Sequence, residues 1–304
     1  MNIPIIDISS LVKDNSNSEE FNKTVYEIKS ACENIGFFLV KNHGISKNII
    51  TQLSNQTRIF FDSNFEYKNK FFEKNQEDYP FGYMGIGYET LKAGYDPSIN
   101  KTRIYPDLKE SFSIGSNEKT IWPNNIKESW ENYLIVMNNL VHKILQAFAL
   151  ALNKDINFFN KYITNHASAL RALNYPEINY QIVNQQIRAS KHTDYGIMTV
   201  LKTDGPGLQV YSKNKEWIDV PIIEDTFIIN IGDMMQRWTN DKWMSTLHRV
   251  INTDNNKRRR QSFAYFFNPN SDSIIESIID NENPKYEPIK SKDFLMKKHI
   301  DAIN

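Results

Sequence analysis

The second half of this chain restricts its fold most, because short strand-like runs there follow one another between turn signals. Beyond about residue 167 the runs are Ala169–Tyr175, Gln186–His192, Ile197–Leu201, Leu208–Tyr211, Trp217–Val220, Thr226–Ile231, Thr246–Ile251 and Gln261–Phe267. Gly205-Pro206-Gly207, Lys213-Asn214 and Thr253-Asp254-Asn255-Asn256 punctuate them. So many short strands within about a hundred residues predict a closed or sandwiched β architecture such as a jelly roll.

The first half has a different pattern. Phe21, Val25, Ile28 and Cys32 recur at helical spacing and predict a helix over Glu19–Asn34. A buried strand, Phe37–Val40, follows and closes in the turn Asn42-His43-Gly44. Ser46 caps a further helix. Residues 79–106 read as a loop rich in Tyr, Gly and Pro. Lys127–Leu152 is the longest expected helix, with an apolar stripe from Trp130 to Phe148. The expected division is a helix-and-strand region over 1–115 and a β core with its supporting helix and C-terminal segment over 116–304, together one compact unit.

Charge and cysteine content narrow the function classes. Lys plus Arg and Asp plus Glu number 36 each, so the chain lacks the electrostatic footprint of a nucleic-acid or anionic-membrane binder. Its single cysteine, Cys32, excludes an intrachain disulfide and fits a reducing compartment. The start, Met-Asn-Ile-Pro-Ile-Ile-Asp, lacks a signal-peptide pattern, and no uninterrupted apolar run has the length of a membrane span. A cytoplasmic protein without nucleic-acid or membrane partners is expected; the oligomeric state is left open.

Two clusters in the β region could carry chemistry. His192-Thr193-Asp194 is a His-x-Asp at a strand end, and residues i and i+2 of a strand share a face. His248, on a later strand, can bring a second imidazole to the same point. Two His and one carboxylate form the facial triad of iron(II) oxygenases, which leaves positions open for ligands. Taken alone, the His-x-Asp reads as a turn, and His248 as a satisfied core residue. The second cluster is Arg260-Gln261-Ser262. Arg260 and Ser262 share a face, and an inward Arg needs an anion; a guanidinium fork with an adjacent hydroxyl suits one carboxylate. Tyr175 can add a phenolic donor. Alone, Arg260 reads as a hairpin charge within Lys257–Arg260, and Tyr175 as a core residue.

An ordered series of short motifs brings these clusters together. His192-Thr193-Asp194, Gly207-Leu208-Gln209-Val210, Trp217–Pro221, Asn230-Ile231-Gly232-Asp233, Trp238-Thr239-Asn240, His248-Arg249-Val250 and Arg260-Gln261-Ser262 follow in turn. Ile3–Asp7, Gly36-Phe37-Phe38, Asn42-His43-Gly44 and Asp107–Phe112 precede them. The chain thus resembles the isopenicillin N synthase-like branch of the 2-oxoglutarate- and iron(II)-dependent dioxygenases. The resemblance implies an α+β fold with a double-stranded β-helix core flanked by helices. It implies His192, Asp194 and His248 as iron ligands, with Arg260, Ser262 and Tyr175 around the distal carboxylate of 2-oxoglutarate. It implies oxidation of a small molecule, by hydroxylation, with release of succinate and CO₂; O₂ is consumed and ascorbate is a candidate reductant. No catalytic side chain beyond the metal ligands is implied. Asn230–Asp233 is expected to be a strand and tight turn that shape the core, and His43 to be structural. An isopenicillin N synthase-type oxidase, with a substrate carboxylate in the clamp, and a non-catalytic metal-binding homologue are the alternatives.

Substrate contacts are expected from the loop carrying Tyr79, Tyr83, Tyr88, Tyr95 and Tyr105, with Tyr83 and Tyr88 as candidates, and from the C-terminal segment. Lys101 and Arg103 could meet an acidic group. Arg188, on the His192 face, is either a rim charge or a substrate contact.

Overall fold

The computed structural model describes residues 2–13, 18–72, 81–88, 107–115, 121–178, 186–253 and 258–303. In chain order the strands are β1 (Ile5–Asp7), β2 (Phe37–Lys41), β3 (Gly82–Met84), β4 (Glu110–Gly115), β5 (Ala169–Tyr175), β6 (Ala189–His192), β7 (Met198–Thr203), β8 (Leu208–Tyr211), β9 (Trp217–Asp219), β10 (Phe227–Ile231), β11 (His248–Val250), β12 (Arg260–Phe267), β13 (Ile274–Ile275) and β14 (Ile289–Lys290). The helices are α1 (Ser9–Val12), α2 (Glu19–Asn34), α3 (Lys47–Asp62), α4 (Phe65–Asn69), α5 (Lys127–Ala151), α6 (Asp233–Trp238) and α7 (Ser291–Ile303).

Among the described residues the strands form an eight-stranded sheet in the order β1-β2-β10-β7-β12-β5-β4-β3 and a four-stranded sheet in the order β6-β11-β8-β9. Strands from both halves of the sequence share the large sheet. Alternation along its strands assigns each residue to one of two faces. Tyr175, Leu39, Ile228 and Phe37 turn towards Ala189, Leu208, Val210 and Val250 of the small sheet, and these residues make one apolar cluster between the sheets. Phe112, Phe263, Tyr265 and Phe267 turn the other way, into a larger cluster under α2, α3 and α5. This is the double-stranded β-helix flanked by helices.

The helices form where the apolar spacing requires, with polar caps. Ser18 Oγ accepts from Phe21 N at 3.1 Å to start α2, and Ser46 Oγ accepts from Asn48 N at 3.2 Å to start α3. By length and composition α5 could cross a membrane. Here it is the core helix: Trp130, Tyr133, Met137, Val141, Ile144 and Phe148 are all buried. Several elements depart from expectation. β3 lies inside the stretch read as a loop, β4 was not anticipated as a strand, and Asp233 opens the short α6 instead of a tight turn.

Candidate active site

The inner surface between the sheets carries both clusters. β6 and β11 pair antiparallel with His248 opposite His192, and a register irregularity lies between that pair and Val250–Ala189. The imidazoles face each other with ring centroids 4.3 Å apart. Asp194 follows β6, and its Oδ1 lies 3.9 Å from His192 Nε2 and 3.7 Å from His248 Nε2. All three ligand atoms fall within 4.8 Å of one another, a spacing that fits one metal ion.

Each donor is aimed from behind. His192 Nδ1 lies 2.7 Å from Ser190 O and His248 Nδ1 lies 3.0 Å from Thr246 O, so each Nδ1 donates to a carbonyl and each Nε2 lone pair is left for a metal. Asp194 Oδ2 accepts from Thr199 Oγ1 at 2.6 Å and from Asn230 Nδ2 at 2.7 Å, leaving Oδ1 on the metal side. Thr199 and Asn230 are direct partners across β7 and β10. Burial, and then the neighbouring His248, push His192 down to about 4 against the pull of Asp194, so it is a neutral imidazole at pH 7. Burial opposes the Asp194 charge, but His248, His192 and the two hydrogen bonds outweigh it and hold the carboxyl below its ordinary value.

A buried polar chain supports β6 on the face that carries His192. Asp107 Oδ1 accepts from Ser190 N at 3.0 Å and Ser190 Oγ at 2.8 Å, while Lys109 Nζ donates to Asp107 Oδ2 at 2.8 Å. The carbonyl that orients His192 belongs to this same Ser190. Beyond Asp194 the backbone docks on α6: Asp233 N donates to Asp194 O at 2.7 Å and Met234 N to Tyr195 O at 3.0 Å. The approach is close enough that a Cβ on Gly232 would meet Gly196 O at 2.2 Å, so only glycine fits there.

The second cluster lies on the same inner surface. Arg260 is opposite Tyr175, and Ser262 lies between Leu173 and Thr203. The Arg260 guanidinium carbon is 4.7 Å from the Tyr175 ring centre. Its Nε donates to Gly205 O at 3.0 Å, but Nη1 is buried with no partner. Ser262 Oγ is 3.1 Å from Thr203 Oγ1. Arg188 is not a rim charge: it is 3% exposed, lies 5.9 Å from the Tyr175 ring centre and has an unpartnered Nε.

The tyrosine candidates fare differently. Tyr83 pairs with Phe112 across β3 and β4, which puts it on the helix side of the sheet, facing away from Arg260. Its hydroxyl donates to Glu110 Oε2 at 2.6 Å in that buried layer, so Tyr83 is not a substrate contact. Tyr88 lies at the surface, 60% exposed, with its ring against Phe72. Tyr79, Tyr95, Tyr105, Lys101 and Arg103 lie outside the described residues. From the C-terminal segment, His299 of α7 meets Tyr195 at 5.2 Å between ring centres, next to Asp194.

Sequence reasoning missed Asn230, Thr199 and Ser190. Asn230 did leave a signal: it is the one amide in the apolar run Phe227–Ile231, and a buried amide needs a partner. Thr199 and Ser190 left none, since small hydroxyl residues are ordinary in strands.

Residues 3–133 match the family model described as the N-terminal region of a non-haem dioxygenase in morphine synthesis, and residues 162–269 match that of the 2OG-Fe(II) oxygenase superfamily. The chain is 34% identical to a homoarginine-6-hydroxylase of Oryza sativa subsp. japonica, over 91% of this chain and 88% of that protein. It is 31% identical to the 2-oxoglutarate-dependent dioxygenase tropC of Talaromyces stipitatus, over 91% and 89%. The crystal structure of a full-length Neurospora crassa protein in complex with alpha-KG superposes with a TM-score of 0.85 at 32% identity, covering 97% of this chain and 95% of that one. The chain belongs to the 2-oxoglutarate- and iron(II)-dependent oxygenases. It is a dioxygenase whose cofactor is iron(II), whose cosubstrates are 2-oxoglutarate and O₂, and whose substrate is a small molecule.

Proposed function

We propose that His192, Asp194 and His248 hold the iron(II), that Arg260 with Ser262 and Tyr175 holds the distal carboxylate of 2-oxoglutarate, and that the enzyme hydroxylates its substrate. The observation that carries this reading is the buried, unpartnered Arg260 Nη1 on the same inner surface as the triad. A guanidinium so placed is costly without an anion, and a carboxylate completes it. The donor set fits the metal as well: two imidazoles and one carboxylate suit iron(II) and leave coordination positions for ligands.

Each residue then has a defined task. His192 and His248 offer Nε2 lone pairs because carbonyls hold their Nδ1 protons. Asp194 offers Oδ1 because Thr199 and Asn230 occupy Oδ2. Arg260 fixes the far end of the cosubstrate and so orients its 2-oxo-acid end towards the triad, a positioning effect. Leu173, Leu208 and Val210 help keep water from the inner surface. Bound there, iron(II) supplies the O₂-dependent oxidation that turns 2-oxoglutarate into succinate and CO₂ and hydroxylates a substrate C–H bond.

The test is an anaerobic titration of iron(II)-loaded protein with 2-oxoglutarate, followed by a metabolite screen for O₂-dependent succinate release. A visible absorption band of the iron–oxo-acid chelate, and succinate formed in step with hydroxylated product, are expected. Turnover without succinate, and no band, would transfer the clamp to a substrate carboxylate.

A further inference from the structure

Arg188 is a charged group on the inner surface that the proposed function leaves unused although it is almost wholly buried. Buried arginines ordinarily meet a carboxylate. Arg188 has none among the described residues: its Nη2 reaches Pro176 O at a long 3.4 Å, and its Nε has no partner. Its backbone is fixed, with its N–H donating to Val250 O at 3.1 Å, so the side chain extends from an anchored base. The ring it lies against is that of Tyr175, which also carries Arg260. Burial and the Arg260 charge both disfavour the charged form of Arg188 and lower its pKa, yet a guanidinium stays protonated. Two buried cations thus flank one phenol ring, and neither has an anion among the described residues.

We infer that Arg188 is a second, charge-selecting residue of the cosubstrate pocket: with Arg260 it makes a two-guanidinium site around Tyr175 that admits 2-oxo acids ending in a carboxylate. This rests on the 2-oxoglutarate reading of the clamp and deepens it. One carboxylate entering between these residues relieves the repulsion between two like charges and supplies the missing acceptor. A 2-oxo acid of the same length with an apolar tail does neither. Arg188 therefore acts on the choice of cosubstrate, and the substrate is recognised elsewhere on the inner surface.

The experiment is a ligand-truncation cycle. Wild type, Arg188→Gln and Arg188→Lys, each loaded with iron(II) under anaerobic conditions, are titrated with 2-oxoglutarate and with 2-oxopentanoate, in which a methyl group replaces the distal carboxylate. The absorption band gives Kd, and calorimetry on the manganese(II)-loaded proteins repeats the measurement. Arg188→Gln should bind 2-oxoglutarate about ten- to hundred-fold more weakly, as expected for losing one charge close to a buried anion. It should bind 2-oxopentanoate as wild type does, and Arg188→Lys should recover most of the loss. Equal weakening for both acids would mean that Arg188 only packs the pocket and would overturn the inference. So would unchanged 2-oxoglutarate binding in Arg188→Gln beside normal binding in wild type, a result that leaves the Arg260 clamp standing. A wild type that binds no 2-oxoglutarate would overturn clamp and inference together.

Discussion

The metal face and the anion pocket share one inner surface but are finished to different degrees. Behind the metal face, the two Nδ1 atoms and Oδ2 of Asp194 are bound to Ser190, Thr246, Thr199 and Asn230. In the anion pocket, Arg260 Nη1 and Arg188 Nε are buried with no partner among the described residues. The first region is set before its ion arrives, so its geometry belongs to the protein alone. The second carries uncompensated charge, so part of its stability must come with its ligand. Preorganisation thus governs the metal, and electrostatic need governs the cosubstrate.

The largest expected effect separates the two regions outright. His248→Ala removes one ligand of the triad and should abolish metal loading and turnover, while circular dichroism and elution volume stay as in wild type. Metal content after reconstitution, measured by elemental analysis, checks this; retained iron with full activity would break the assignment. Next comes the anion side. Arg260→Ala should cost about 2–5 kcal/mol of 2-oxoglutarate binding, roughly thirty-fold or more, because the ligand carboxylate is left buried and unpaired. Metal content should not change, and Arg260→Lys should restore binding only in part, since a point charge cannot reproduce the fork.

Smaller effects sharpen the contrast. Asn230→Ala frees Asp194 Oδ2 from one of its two donors and should weaken metal affinity about ten- to hundred-fold, the usual cost of losing an outer partner. Competition with a metal-sensitive dye measures it, and unchanged affinity would show that Thr199 alone suffices. Smallest at the site is Tyr83→Phe. It removes one of three buried donors to Glu110, with Lys68 and Asn174 remaining, and should cost about 1–3 kcal/mol of stability, the range for a hydrogen bond to a charged group. Because Tyr83 is on the helix side of the sheet, metal and 2-oxoglutarate affinities should stay at wild-type values. A thermal melt and the anaerobic titration together test that.

That last variant also marks where sequence reasoning stops. The bounds of α2 and of β5 agree with their expected spans, since an apolar period with a polar cap, and a β-rich run closed by Pro176, are local signals. The ligand cluster was legible because i and i+2 on one strand, together with His248, needed only strand pairing to meet. The face of Tyr83 was not legible, since it depends on the register of β3 against β4, a tertiary fact. β4 escaped notice because Glu110, Ser111 and Ser113 make it look polar, although all three are buried. The burial of Arg188 was likewise invisible, as nothing in its neighbours announces the Tyr175 ring. Of the support around the triad, only the amide in Phe227–Ile231 could have been noticed in advance.

The place of β2 in the large sheet has a consequence for the birth of the protein. Its antiparallel partner is β10, whose residues 227–231 emerge long after residue 41. At ~5–20 residues per second of synthesis, that interval is roughly ten to forty seconds. Until then Phe37-Phe38-Leu39-Val40 has only the short parallel strand β1 on one side, and its other edge is open. An apolar strand with an unpaired edge is a template for other chains. The first half of the enzyme is therefore adhesive while the middle of the chain is being made, and it loses that character only when β10 arrives to cover the edge.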